Sequence, residues 1–265
     1  MIRAETDTTW LLVTHPDHAA LAGEFADAWG NTQFARPEPF APIRHAVYHH
    51  DDGWLQRDAN PSLTPAGKPE AFTRDLVGAY SAFEEIDLPA YLGVRAQATR
   101  AVAEVDPAAA VVVSMHTVNL LTEQADLESI QPEHREAHAT FVAEQRAWQE
   151  ETMRALNLSP ESMTRGFEFL QCCDNLSLIA CSGYDEPRAL RHRQPDRHGD
   201  RHELQARPLG AGTWSITPWP FKEDEISFKL PRRRVNKADA QTPETFRAAF
   251  TAAAPEIVAI TLRRA

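Results

Sequence analysis

Cysteine is scarce in this chain: three in 265 residues, Cys172, Cys173 and Cys181, all within one short stretch. No CxxC spacing occurs and no partner set lies elsewhere, which excludes a disulfide framework and a zinc ribbon and leaves reduced core thiols as the expectation. Long apolar runs are also lacking. The longest, Ala108 to Val113, falls far short of the roughly 20 residues a membrane-spanning helix needs. The first residues carry Glu5 and Asp7 and no basic region leading into an apolar stretch, so no secretory signal is visible and a cytoplasmic location is expected. Positive charge is in deficit, with Lys+Arg 27 against Asp+Glu 38 and a net charge of -11. That balance repels nucleic-acid backbone and anionic membrane and leaves a small molecule as the expected partner. The patterns G-x-x-x-x-G-K-[ST], G-x-G-x-x-G and G-x-S-x-G do not occur, which argues against common nucleotide and serine-hydrolase sites.

What remains is an ordinary globular composition, 43% hydrophobic and 25% charged, in a length that suits one principal domain. Thr8 to Thr14 is a short run rich in β-formers and reads as a strand, followed by a helix with Asp17 as N-cap and Leu21, Ala22, Phe25 and Trp29 on one face. Three prolines between Ala35 and Pro42 break it. A second helix then carries Ile43, Ala46, Val47 and His50 on one face and closes at Gly53. Asp58 to Pro69 is a long, Pro- and Gly-punctuated loop placed to border a site at His50. Helical patterns follow at Phe72 to Phe83, Ala90 to Val105, Pro107 to Leu121, Pro132 to Leu156 and Ser162 to Cys181, with Pro89, Pro107, Pro132 and Pro160 marking starts. Residues 186–212 read as a polar surface loop with exposed histidines. Alternating patterns at Trp214 to Ile216, Glu225 to Leu230 and Ile257 to Arg264 then predict strands, with a short helix at Thr245 to Ala253. Arg232-Arg233-Arg234 reads as a solvated strand edge. The expected fold is α+β: a predominantly helical core over 1–185, the loop 186–212, and a small antiparallel C-terminal sheet in a lobe at 213–265, with Thr8 to Thr14 a candidate extra strand.

Polar groups on apolar faces carry the chemical signal. His18, His50 with Asp51, His116 and Asp174 all occupy positions where a core aliphatic is expected; Asp174 is flanked at helical spacing by Phe167, Leu170, Leu178 and Cys181. A buried carboxylate must be paired, protonated or metal-bound. One divalent cation would relieve several of these burial costs together, since imidazole nitrogens and carboxylate oxygens are the usual ligands of iron, manganese, zinc or nickel.

The segment AVYHHDDGW at Ala46 to Trp54 resembles the His-Asp motif of the HD superfamily, an apolar helix ending in His-Asp close to a glycine. His18 in HAALA resembles that superfamily's first-helix histidine, and Asp174 in FLQCCDNLSL its closing aspartate. More narrowly, HAALAGEFADAWG, HHDDGW, the VSMH at His116, CDNLSL and the PWPF at Pro218 together resemble the bacterial family DUF3891 over nearly the whole chain. The HD resemblance implies a metal quartet of His18, His50, Asp51 and Asp174. Dinuclear HD members insert further histidines, for which the candidates are His116 and His138, with His134 sharing the inward face of His138. It also implies a metal-dependent hydrolase, with one or two ions, Asp51 on the metal and Asp52 as a nearby base. A dinuclear iron oxygenase using both His116 and His138 is the rival expectation, and a non-catalytic binding module the third. A homo-oligomer is compatible with all three.

Overall fold

In this computed structural model, which describes residues 1–76 and 87–265, the chain opens with a hairpin of β1 (Ile2–Glu5) and β2 (Thr9–Val13). Helix α1 (His15–Ala28) follows at once. Its cap is Thr14, whose hydroxyl accepts the backbone N–H of Asp17, so the expected Asp17 cap moves back to the residue before the helix. Helix α2 (Phe40–His49) buries Ile43, Ala46 and Val47 and ends one residue before His50. A 3-10 turn at Asp52–Trp54 leads into the short α3 (Leu55–Ala59). The helix expected at Phe72 to Phe83 begins instead as strand β3 (Phe72–Thr73) and a 3-10 turn at Arg74–Leu76, and its remainder lies outside the described residues.

The long helices stand where proline and capping residues place them. Asp87 caps α4 (Leu88–Val105), Asp106 caps α5 (Pro107–Thr122), and Ser159 caps α7 (Pro160–Ser182), each through its side-chain oxygen and with a proline in the first turn. Between them, α6 (Arg135–Ala155) follows a 3-10 turn begun by Pro132. Gly183 ends α7 with φ 69, a left-handed conformation that glycine adopts without steric cost. Helices α1, α2, α5 and α7 pack on one another, and α4 and α6 lean on α5. Their shared core includes Phe25, Ile43, Val47, Val112, Val113 and Leu170.

The expected small antiparallel sheet is replaced by a large, curled mixed sheet forming a half-barrel, beside helices that take about half of the chain. Its eight strands run β3-β1-β2-β9-β10-β8-β7-β4, with β4 (Arg188–Ala189), β7 (Gln205–Gly210), β8 (Thr213–Thr217), β9 (Glu225–Asn236) and β10 (Glu256–Arg264). The pairs β1–β3 and β10–β8 are parallel and the others antiparallel. Residues 186–212, expected to be a polar loop, supply β4 and β7 to this sheet and a separate ribbon of β5 (Gln194–Pro195) and β6 (Arg201–His202). Strand β9 is the hinge of the sheet. Its first part pairs with β10 and its last residues, 233–236, pair with β2, so the arginine triplet lies inside the sheet and not on an edge. Arg232 and Arg234 reach Glu256, and Arg233 donates to the Ala253 carbonyl with its guanidinium over the Phe250 ring. Helix α8 (Pro243–Ala252) covers this region with Phe246 and Phe250. On the other side α1 lies against β9, with Phe25 edge-on to Phe228 at 4.9 Å.

Candidate metal centre

The His50-Asp51 pair sits where α2 stops and the 3-10 turn begins. Gly53 makes that sharp approach possible: a Cβ there would overlap the backbone oxygen of Val94 and come within 2.9 Å of the Ala98 nitrogen on α4. A glycine at this point therefore lets α4 close over the turn. From α1 comes His18, from α5 His116, and from α7 Asp174. All are withdrawn from water, with relative exposures of 0% for His18, 1% for His50 and His116, 4% for Asp51 and 7% for Asp174.

Two overlapping sets of ligand atoms converge, His18 with His50 and Asp174, and His50 with Asp51 and His116, each within 4.8 Å. His18 Nε2 stands 3.2 Å from Asp51 Oδ2 and 3.6 Å from Asp174 Oδ1, while His50 Nε2 stands 3.4 Å from Asp174 Oδ1 and 3.9 Å from Asp51 Oδ2. The far nitrogens of both rings are already committed. His50 Nδ1 donates to the Val47 carbonyl at 2.8 Å. His18 Nδ1 lies 2.6 Å from Ser177 Oγ, whose own proton goes to the His18 carbonyl at 2.8 Å, so Nδ1 is the donor. A neutral imidazole protonated at Nδ1 offers only a lone pair at Nε2. The His50 lone pair thus faces a carboxylate oxygen of Asp174 and has no hydrogen-bond partner among the described residues, while His18 Nε2 lies within hydrogen-bond distance of Asp51 Oδ2. Acceptors facing acceptors in a buried site call for a cation, either a proton or a metal ion. The spacing suits an ion, because metal bonds of roughly 2.0–2.2 Å hold neighbouring ligand atoms about 3–3.5 Å apart.

The electrostatics describe the same place without the ion. Burial alone would depress His50, but the carboxylates of Asp51 and Asp174 outweigh it and push its imidazole up to about 9. Burial dominates at His18, which is lowered, and at His116, which is pushed down to about 3. For Asp174 burial works upward, yet the neighbouring His50 imidazole brings it down to about 2. Asp51 is held well below the usual carboxylate range against its own burial, chiefly by Arg95, whose Nη1 donates to Asp51 Oδ1 at 2.6 Å. The two carboxylates thus favour a proton on His50.

His116 stands beside this group, its ring edge-on to His50 at 5.3 Å, and one of its nitrogens falls within 4.8 Å of ligand atoms on His50 and Asp51. His138 is placed elsewhere: half-buried on α6, it donates from Nε2 to the Leu121 carbonyl at 2.8 Å, and neither it nor His134 joins the groups of converging ligand atoms. Asp52, expected as a base, turns outward and pairs with His49 Nδ1 at 2.8 Å. Asp58, at the head of the expected bordering loop, backs His15, whose ring stacks on Trp54 at 4.3 Å and lies 6.4 Å from His18. The three cysteines are buried and free, their thiols pushed up by burial, as expected of core residues.

Sequence reasoning passed over Arg95, Ser177 and Gln171. Each carried the same signal as Asp174. Arg95 falls on the α4 face that buries Tyr91, Ala98 and Val102, and Gln171, Asp174 and Ser177 recur at three-residue steps along the buried α7. Three surface clefts, around Trp219 and Arg264 at about 870 Å³, around Arg165 and Arg197 at about 780 Å³, and around Tyr184 and Trp214 at about 580 Å³, are lined by residues outside the quartet. No helix among the described residues is long and apolar enough to cross a membrane. No curated protein and no solved structure matches the chain. A family model described as a protein of unknown function, DUF3891, matches residues 1–237, and the chain belongs to that family.

Proposed function

We propose that this protein is a metal-dependent hydrolase with an HD-type ligand order, holding one divalent transition metal on His18, His50, Asp51 and Asp174 and acting on a small anionic molecule. The observation that carries the reading is the convergence of His18 Nε2 and the unpartnered His50 Nε2 on carboxylate oxygens of Asp51 and Asp174 in a buried site. Iron, manganese, zinc and nickel all accept such a mixed nitrogen and oxygen set. When bound, the ion would supply a water of lowered pKa and polarise a phosphoryl or carbonyl oxygen.

The chain's own side chains prepare the ligands. Ser177 and the Val47 carbonyl fix the tautomer and tilt of His18 and His50, the usual task of groups behind metal-binding histidines. Arg95 occupies Asp51 Oδ1 and leaves Oδ2 toward the cluster. Asp52 pairs with His49 and is not among the converging ligand groups. The oxygenase alternative loses support because it needs His138, which is bound to the Leu121 carbonyl.

Metal analysis of the purified protein, followed by chelation, reloading and a panel of phosphomonoesters, phosphodiesters and carboxylic esters, tests the proposal. The expected result is about one ion per chain, hydrolysis that depends on it, and loss of both in His50→Ala and Asp174→Asn. A chain that takes up none of the four metals, and whose stability His50→Ala leaves unchanged, would be a binding module and would overturn the reading.

A further inference from the structure

Behind the cluster, a line of polar side chains leads out through the helical core to the segment after α7. His192 Nε2 lies 2.6 Å from Gln171 Oε1, and Gln171 Nε2 lies 3.1 Å from His116 Nδ1. An amide oxygen only accepts and an amide nitrogen only donates, so His192 donates to Gln171 and Gln171 donates to His116. Reversing the Gln171 amide would set its NH₂ against Gln124 Nε2, which now donates to Gln171 Oε1 at 3.1 Å and to Asn119 Oδ1 at 2.6 Å. The direction of the chain is therefore shared by four side chains. His192 is held for this contact with φ 56, in the left-handed region, while Arg191 N–H donates to Asn175 Oδ1 and the Gln194 amide donates to the Glu168 carbonyl.

The consequence falls on His116. Its Nδ1 accepts, so its proton sits on Nε2, the nitrogen that Gln171 does not engage, on a ring standing edge-on to His50. This is the opposite tautomer to that of His18 and His50, whose Nδ1 atoms donate. A protonated Nε2 has no lone pair for a metal. We propose that His116 is a hydrogen-bond donor to the oxygen of a substrate or water held in the metal centre, and not a metal ligand, with Gln171 and His192 as the positioning residues that keep its proton on Nε2. This rests on the reading of the quartet as a cation site. It also narrows the substrate to one presenting an oxygen acceptor at the His116 side of that site.

Long-range proton–nitrogen spectra of the ¹⁵N-labelled full chain, recorded without metal and with zinc and assigned by comparison with His116→Gln, read the tautomer directly. The expected result is a protonated Nε2 and an acceptor Nδ1 on His116 in both states. In Gln171→Glu the new carboxylate should accept from Nδ1, move the proton there, and tighten zinc binding by freeing the Nε2 lone pair. In a chelator competition, His116→Gln should keep zinc affinity near that of the wild type, whereas His50→Ala should lose at least the roughly 10-fold that even a supporting residue costs a metal site. A proton found on Nδ1 of wild-type His116, or zinc binding weakened as much by His116→Gln as by His50→Ala, would overturn the donor assignment. Failure of the wild type to bind zinc, manganese, iron or nickel would instead overturn the cation site, on which this donor role depends.

Discussion

At the residue scale, His50 makes the metal-free protein sensitive to alkali. Its imidazole is raised from the ordinary value near 6.5 to about 9 by Asp51 and Asp174. Between those values the folded chain holds a proton that the unfolded chain has lost, so stability is full below about pH 6.5 and declines as pH rises toward 9. His18 and His116 are shifted the other way and act only below pH 6.5, where they favour the unfolded chain. Thermal unfolding of chelated protein should therefore show the melting temperature falling between about pH 6.5 and 8, a window below the ordinary thiol range in which the buried cysteines contribute little. With metal bound, the proton on His50 is displaced and the decline should disappear. An identical slope with and without metal would remove His50 from the ligand set. The legible part of the site at this scale was the set of misplaced polar residues: His18, His50, Asp51, His116 and Asp174 stand out from aliphatic patterns and do come together. His138 shows the limit of that method. Its inward spacing on α6 is real, but a helix face says nothing about which neighbour it meets, and the neighbour is the Leu121 carbonyl.

At the element scale, the site depends on how closely α4 approaches the turn after α2. Gly53→Ala should destabilise the chain by about 1–3 kcal/mol, because the new methyl meets α4 backbone and not a side chain that can rotate away. A drop in melting temperature accompanied by weaker metal binding would show α4 displaced together with Arg95; a neutral substitution would mean that α4 does not pack as described. Helix starts were readable at prolines, which act locally: α4, α5 and α7 begin at or one residue before Pro89, Pro107 and Pro160. The error at Asp17 is of the same local kind: Thr14 and Asp17 are both competent caps, and Thr14 takes the role.

For the whole molecule, the sheet ties the two ends of the chain into one structure. The family match ends at residue 237, yet β10, residues 256–264, lies between β9 and β8 and supplies the neighbour for most of β9. A variant ending at residue 237 should lose cooperative unfolding and become insoluble, since it exposes the apolar edge of β9 with Phe228 and Leu230. Circular dichroism melts and sedimentation would check this; a soluble, cooperatively folded variant would make β10 dispensable.

Composition and local pattern were enough to establish a globular chain without an apolar span, its main helices, the buried thiols and the polar residues that burial would make costly. These follow from interactions within a few residues: caps, periodicity and the cost of a misplaced charge. The size and mixed pairing of the sheet, the inward place of the arginine triplet, the withdrawal of Asp52 and His138, and the tautomer of His116 were decided only by tertiary structure. Strand partners such as β2 and β9 lie more than 200 residues apart, and a two-residue alternation carries no record of its partner. The His50-Asp51 pair spans both levels. Its burial was readable from α2 alone, but the groups it meets, Asp174, His18 and Arg95, are brought to it from three other helices.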